Sequence, residues 1–124
     1  MKKLFLDDLR LPKDAIGLVP DVMNQFYWSN DWIIVRNFWE FCNYIQKFGL
    51  PDYVSFDHDL ADEHYTHIDD SDYKEKTGYE CAKWLVDFCF DNGKTLPDYM
   101  VHSANPTGKQ NIISYLENAK KHLL

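Results

Sequence analysis

Basic residues are the first scarcity: 13 Lys and Arg stand against 20 Asp and Glu, giving a net charge of −7. That deficit excludes general binding along a nucleic-acid backbone, which draws on clustered Lys and Arg. It leaves room for a small phosphorylated ligand held through a bound cation, whose own charge inverts the local field. Cysteine is scarce too. Cys42, Cys81 and Cys89 each lie inside an apolar helical pattern, with no C-x-x-C pair. An odd number of such thiols fits core packing in a reducing compartment, not a disulfide scaffold. Long apolar runs are missing: mean hydropathy is −0.49, and nothing approaches the roughly 18 residues a membrane span requires. The opening run Leu4-Phe5-Leu6 is stopped by Asp7-Asp8, too short for a signal-peptide core. The expectation is a cytoplasmic protein with no membrane partner. Repeats, low-complexity tracts and linker-like stretches are also absent, so residues 1–124 are expected to form a single domain.

What is present suits one packed core: 45% of residues are apolar and 16% aromatic. Residues 3–7 predict a short buried strand ending in a carboxylate pair. Residues 8–31 have no clear period, and Pro12, Gly17 and Pro20 punctuate them. Asp21 opens a short helical pattern through Val22, Met23, Phe26 and Tyr27. Residues 32–36 predict a second strand. Asn37 then caps a helix with Glu40 as its partner; Phe38, Phe41, Cys42, Ile45 and Phe48 repeat at helical spacing until Gly49 and Pro51. Residues 53–57 predict the third strand, again ending in acid. A long polar excursion at 58–76 follows, of the kind that serves as a lid over a site. Thr77 and Glu80 open the next helix, with Tyr79, Ala82, Leu85, Val86 and Cys89 facing inward, and Asn92-Gly93 ends it. Residues 99–102 predict the fourth strand. Thr107 and Gln110 carry a third capping signature, before Ile112, Tyr115, Leu116, Ala119 and Leu123. Strands alternating with helices imply an α/β fold, a small doubly wound sheet of about four parallel strands.

In such sheets ligands bind beyond the carboxyl ends of the strands, at the point where the winding reverses. Three polar clusters fall there: Asp7 and Asp8, then Asp57-His58-Asp59, then His102-Ser103 with Asn105. Converging carboxylates repel, and a hard divalent cation with oxygen ligands relieves this. Asp7, Asp8 and Asp57 are therefore the expected ligands of Mg²⁺ or Mn²⁺. Plainer roles exist for each: a turn cap for Asp7-Asp8, a solvated loop acid for Asp59, a backbone hydrogen bond for His58. Thr77 and Thr107 are accounted for as helix caps, His64 and His67 as solvated, and Trp39 and Trp84 as packing or surface aromatics. His102 and Ser103 are adjacent, so strand alternation sends their side chains to opposite faces unless the strand breaks at Ser-Ala-Asn-Pro.

The acid pair after strand one, Asp57 after strand three and Ser103-Ala104 after strand four resemble receiver domains of two-component response regulators. In those the acids hold Mg²⁺, the third-strand Asp accepts a phosphoryl group and the hydroxyl senses it. The resemblance would make Asp57 the acceptor and Ser103 the hydroxyl. A full receiver has a fifth strand and helix and a phosphate-contacting Lys; none follows here, and Lys109 is not in that place. Leu4-Phe5-Leu6-Asp7-Asp8-Leu9-Arg10, Asp57-His58-Asp59-Leu60, Thr77-Gly78-Tyr79 and His102-Ser103-Ala104-Asn105-Pro106 together resemble the receiver-derived cyclic-phosphate processing receiver domain, from residue 3 to about 118. That resemblance implies a metal-dependent phosphoesterase acting on a cyclic phosphate of a nucleotide or RNA end. His58 and His102 would move protons, Asp59 would orient a histidine, and Ser103 would belong to the catalytic group. Arg10, Asn105 and Lys109 would hold the substrate. A non-catalytic module that binds a phosphorylated nucleotide, or is phosphorylated at Asp57, is the alternative.

Overall fold

The computed structural model describes residues 1–60 and 77–123. Four strands, β1 (Lys3–Leu6), β2 (Trp32–Val35), β3 (Tyr53–Phe56) and β4 (Asp98–Val101), pair in parallel in the order β2-β1-β3-β4. The winding therefore reverses between β1 and β3. Leu6 pairs with both Val35 and Phe56, and Phe56 with Val101, so the four strands end at one level.

Side-chain alternation sorts the two faces. Leu4, Leu6, Val54, Phe56, Val35 and Val101 face a core shared with α2 (Phe38–Phe48), α3 (Gly78–Asp91) and α4 (Pro106–Lys120). Cys42, Cys81 and Cys89 are buried free thiols there, as their apolar settings predict. Phe5, Tyr53 and Trp32 turn to the opposite face, where Ala15, Val19 and Tyr27 cover them. The helices on that side are short: two 3₁₀ turns, Pro12–Leu18 and Asp21–Met23, and α1 (Asn24–Trp28). The stretch that lacked a period in sequence is thus a packed layer, held by aromatic edges, such as Trp32 against Phe26 and Phe5, and not by an amphipathic stripe. Trp84 packs on the larger core, stacked on Phe88, while Trp39 is half exposed beside Phe38.

Two boundaries differ from expectation. Asp7, Arg36, Asp57 and His102 lie just past the strands. Asp7 N–H still donates to Val35 O (3.1 Å), Asp57 N–H to Leu6 O (3.0 Å) and His102 N–H to Phe56 O (2.9 Å), so each extends the ladder by one amide before the chain turns. The final helix is capped by Asn105, not Thr107. Asn105 Oδ1 accepts from Gly108 N–H (3.0 Å), and Pro106 takes the first helical position, where its missing N–H costs nothing. Thr107 is two residues too late to cap, and Thr77 holds the cap position of α3 without a side-chain cap bond. Asn37 caps α2 as expected, accepting from Glu40 N–H at 2.9 Å. Among the described residues no helix is long and apolar enough to cross a membrane.

Candidate functional site

Asp7, Asp57 and His102 continue the parity of Phe5, Ser55 and Met100, so all three side chains leave on one face at the carboxyl edge. Each offers an oxygen or nitrogen atom, and these atoms all lie within 4.8 Å of one another. Asp8 has the opposite parity and is outside this close group. It nevertheless lines the same cleft, about 240 Å³ in volume, with Asp7, Arg10, Asp57, Asp59 and Ala104.

Asp7 has no exposed surface. Its Oδ1 accepts from the amides of Leu9 (2.9 Å) and Arg10 (2.8 Å), and its Oδ2 from His102 Nε2 (3.0 Å) and the Arg10 guanidinium (3.3 Å). Burial alone would raise its pKa. The His102 hydrogen bond and the two amides outweigh that and hold the carboxyl well below the usual range. Asp57 is pushed the other way, up to about 7, first by burial and then by the negative charge of Asp7, with Arg10 opposing and Asp8 adding to the rise. Its Oδ1 accepts from His58 N–H (2.9 Å) and lies 3.9 Å from Arg10; among the described residues its Oδ2 accepts no hydrogen bond. Arg10 is insufficient to offset a buried carboxylate beside an ionised one.

The two predicted histidines occupy different settings. His102 is fully buried, stacked on Phe5 at 4.5 Å with rings 6° from parallel. Its Nδ1 meets Ser55 Oγ at 2.7 Å, and Ser55 meets the Tyr27 hydroxyl at 2.7 Å. Burial pulls its pKa down by more than the bond and charge of Asp7 push it up. His58 is partly exposed, with Nδ1 2.8 Å from Asp59 Oδ1. Its ring lies directly over Gly108 in the first turn of α4, where a Cβ would come within 2.3 Å of the imidazole. Gly78 has a similar role one strand earlier: its amide donates to His58 O (2.7 Å), and a Cβ would meet Asp57 O at 1.7 Å. Glycine is required at both contacts because backbone and ring leave no room for a side chain.

The remaining expected residues divide. Ser103 is buried, and its Oγ accepts from Asn105 N–H (3.0 Å) inside its own turn, whereas His102 is turned to Asp7. Asn105 spends its oxygen on the α4 cap, and its Nδ2 reaches Asp59 only at 3.4 Å. Lys109 is half-buried in α4 and is not among the residues lining the cleft. Residues 61–76, the expected lid, with His64 and His67, lie outside the described residues. Sequence reasoning missed Ser55, Tyr27 and Arg36. Arg36 donates from Nη1 to the carbonyls of Arg10 (2.6 Å) and Asp7 (3.2 Å), clamping the turn that carries both acids. Its one sequence signal is its place directly after a strand, level with Asp7 and Asp57.

The family model of the cyclic-phosphate processing receiver domain matches residues 2–118. The chain belongs to that family. No curated protein and no solved structure matches it. A four-stranded parallel sheet among the described residues, with its acids at the reversal point, is a receiver-like fold. In this cyclic-phosphate processing receiver domain, the donor set suits a hard divalent cation. Four of the seven residues that line the cleft are aspartates, and the raised Asp57 marks a local shortage of positive charge.

Proposed function

We propose that this receiver domain is a metal-dependent phosphoesterase that opens a cyclic phosphate on a nucleotide or an RNA end. The observation that carries the reading is Asp57: buried at the reversal point beside Asp7, it is pushed up to about 7 by burial and by the negative charge of Asp7, with Asp8 adding to the rise, and gains from any cation or phosphoryl-bound cation brought to it. Asp7, Asp8 and Asp57 would hold Mg²⁺ or Mn²⁺. When bound, such an ion polarises a phosphoryl oxygen and lowers the pKa of a coordinated water.

The protein's own groups supply the rest. Arg10 already leans over the cleft and pairs with phosphate oxygens once a cation takes over its carboxylate partners. His58 is the proton carrier, because it has solvent access and Asp59 fixes one of its nitrogens. In the reaction a water oxygen bonds to phosphorus and one ester P–O bond of the ring breaks. His58 moves the proton from the water toward the departing oxygen. His102 has no exposed surface and serves this chemistry through Asp7. Asn105 and Ser103 shape the turn that presents the positive end of α4 to the phosphate.

A product screen of cyclic and linear nucleotides with Mg²⁺ or Mn²⁺ tests the proposal. Ring-opened monoester should form from a cyclic phosphate and cease on chelation. An absence of turnover, with a stable phosphoryl group on Asp57 after mixing with a small phosphodonor, would replace it with a phosphoaccepting module.

A further inference from the structure

Behind the acidic cleft runs an unbroken buried chain, Tyr27–Ser55–His102–Asp7, with contacts of 2.7, 2.7 and 3.0 Å and no exposed surface on any member. Its members come from α1, β3 and the ends of β4 and β1. We infer that Tyr27 and Ser55 are positioning residues that lock His102 as the Nε2–H tautomer, so that His102 holds Asp7 and stays out of the metal's ligand set. The inference rests on the proposed metal site for its second half only.

A hydrogen count supports the lock. An ionised carboxylate only accepts, so Nε2 must carry a proton toward Asp7. In a neutral ring Nδ1 is then an acceptor; Ser55 donates to it and in turn accepts from the Tyr27 hydroxyl. Every proton has a place. A doubly protonated ring reverses the chain: Ser55 would donate to Tyr27, and the Tyr27 proton would need another acceptor. The nearest candidate is the buried Tyr53 hydroxyl, which interacts with Tyr27 electrostatically but forms no hydrogen bond of ordinary geometry in this arrangement, so the reversal would require its ring to move. Phe5 stacked on the ring fixes its plane, and the His102 N–H bond to Phe56 O fixes its backbone.

The consequence concerns which ion the cleft takes. His102 lies close enough to Asp7 and Asp57 to count as a ligand by distance. With its proton on Nε2 and its free pair turned to Ser55, it has no lone pair to give. The set that remains is oxygen only, which suits Mg²⁺ or Mn²⁺ and withholds the imidazole that Zn²⁺ or Cu²⁺ would use. Partners that orient the groups next to a metal typically change its affinity by about 10–100-fold when removed.

The test begins with ¹⁵N NMR of the histidines in metal-free protein, His102 being assigned by its absence in His102→Gln. The expected spectrum shows Nε2 protonated and Nδ1 accepting, unchanged on saturation with Mg²⁺. Calorimetry should then show Mg²⁺ affinity about 10-fold or more lower in Ser55→Ala, less reduced in Tyr27→Phe and restored in Ser55→Thr. An Nδ1–H tautomer, or loss of the Nε2 proton on metal binding, overturns the lock. So does a Ser55→Ala protein that melts lower yet binds Mg²⁺ like the wild type, since a merely structural network would behave that way. An Nε2–H signal in a wild-type protein that binds no divalent cation would sustain the lock and sink the proposed function instead.

Discussion

Two histidine–aspartate pairs stand at the same end of this sheet, His102–Asp7 at 3.0 Å and His58–Asp59 at 2.8 Å. In the first, both side chains are 0% exposed; in the second, 18% and 65%. The pairs are chemically alike, and burial separates their work. In the buried pair every polar atom has a fixed partner, so a proton has nowhere to go and the pair acts as a clamp. In the exposed pair, water supplies alternative partners at little cost, which is the setting the proposed proton carrier requires. Proximity of an imidazole to a carboxylate therefore says little about catalysis until solvent access is known.

Removing the acid from each pair should give the widest contrast. Asp7→Ala strands His102, two amides and Arg10 around a buried hole, and should cost about 3–5 kcal/mol of folding free energy. Asp59→Ala, at an exposed pair, should cost under about 1 kcal/mol. Urea titration of both variants measures the difference, and equal losses would show that burial does not separate the two pairs.

Removing the histidines should separate rate from stability. His58→Gln should keep the melting temperature and lose about 10²–10⁴-fold in turnover of a cyclic phosphate. His102→Asn should instead lose about 1–3 kcal/mol of stability by stranding Ser55 and Asp7. Gly108→Ala should mimic the His58 variant, because the added methyl displaces the ring from the first turn of α4. A fully active His58→Gln protein would remove the exposed pair from the mechanism.

Acid–base linkage sharpens the comparison at Asp57. Its folded pKa is raised to about 7 from 3.8, so the folded state holds the proton more tightly. The associated stability is complete below about pH 4 and is lost as pH rises through 7. With chelator present, Asp57→Asn should be more stable than the wild type at pH 8, on the order of 2–4 kcal/mol, with the gap closing near pH 4. Added Mg²⁺ should narrow the gap at pH 8 by pairing with the ionised wild-type group. A gap independent of pH would show that Asp57 is not shifted. The smallest effect concerns the turn beneath His58: Asn105→Ala should cost about 1 kcal/mol and Thr107→Ala close to none, which thermal melts resolve.

The sequence by itself determined the four strands, the three long helices, the parallel order of construction and the edge at which the acids gather. Those are local properties: strand runs of four residues, a 3.6-residue apolar period and acids placed where each run stops. Asp7 and Asp57 were legible for that reason. The layer at residues 8–31 was not legible, since aromatic packing on a sheet leaves no period. Nor were Ser55 and Tyr27, whose neighbours in sequence mark them only as strand and short-helix residues. Their meeting spans 28 positions from Tyr27 to Ser55 and 47 from Ser55 to His102. Only the tertiary structure decides such a contact, because a hydroxyl between two strands acquires a partner solely from the side chain that packing carries to it. It also decided between the histidines, since burial belongs to the assembled layers and not to any residue's own stretch of chain.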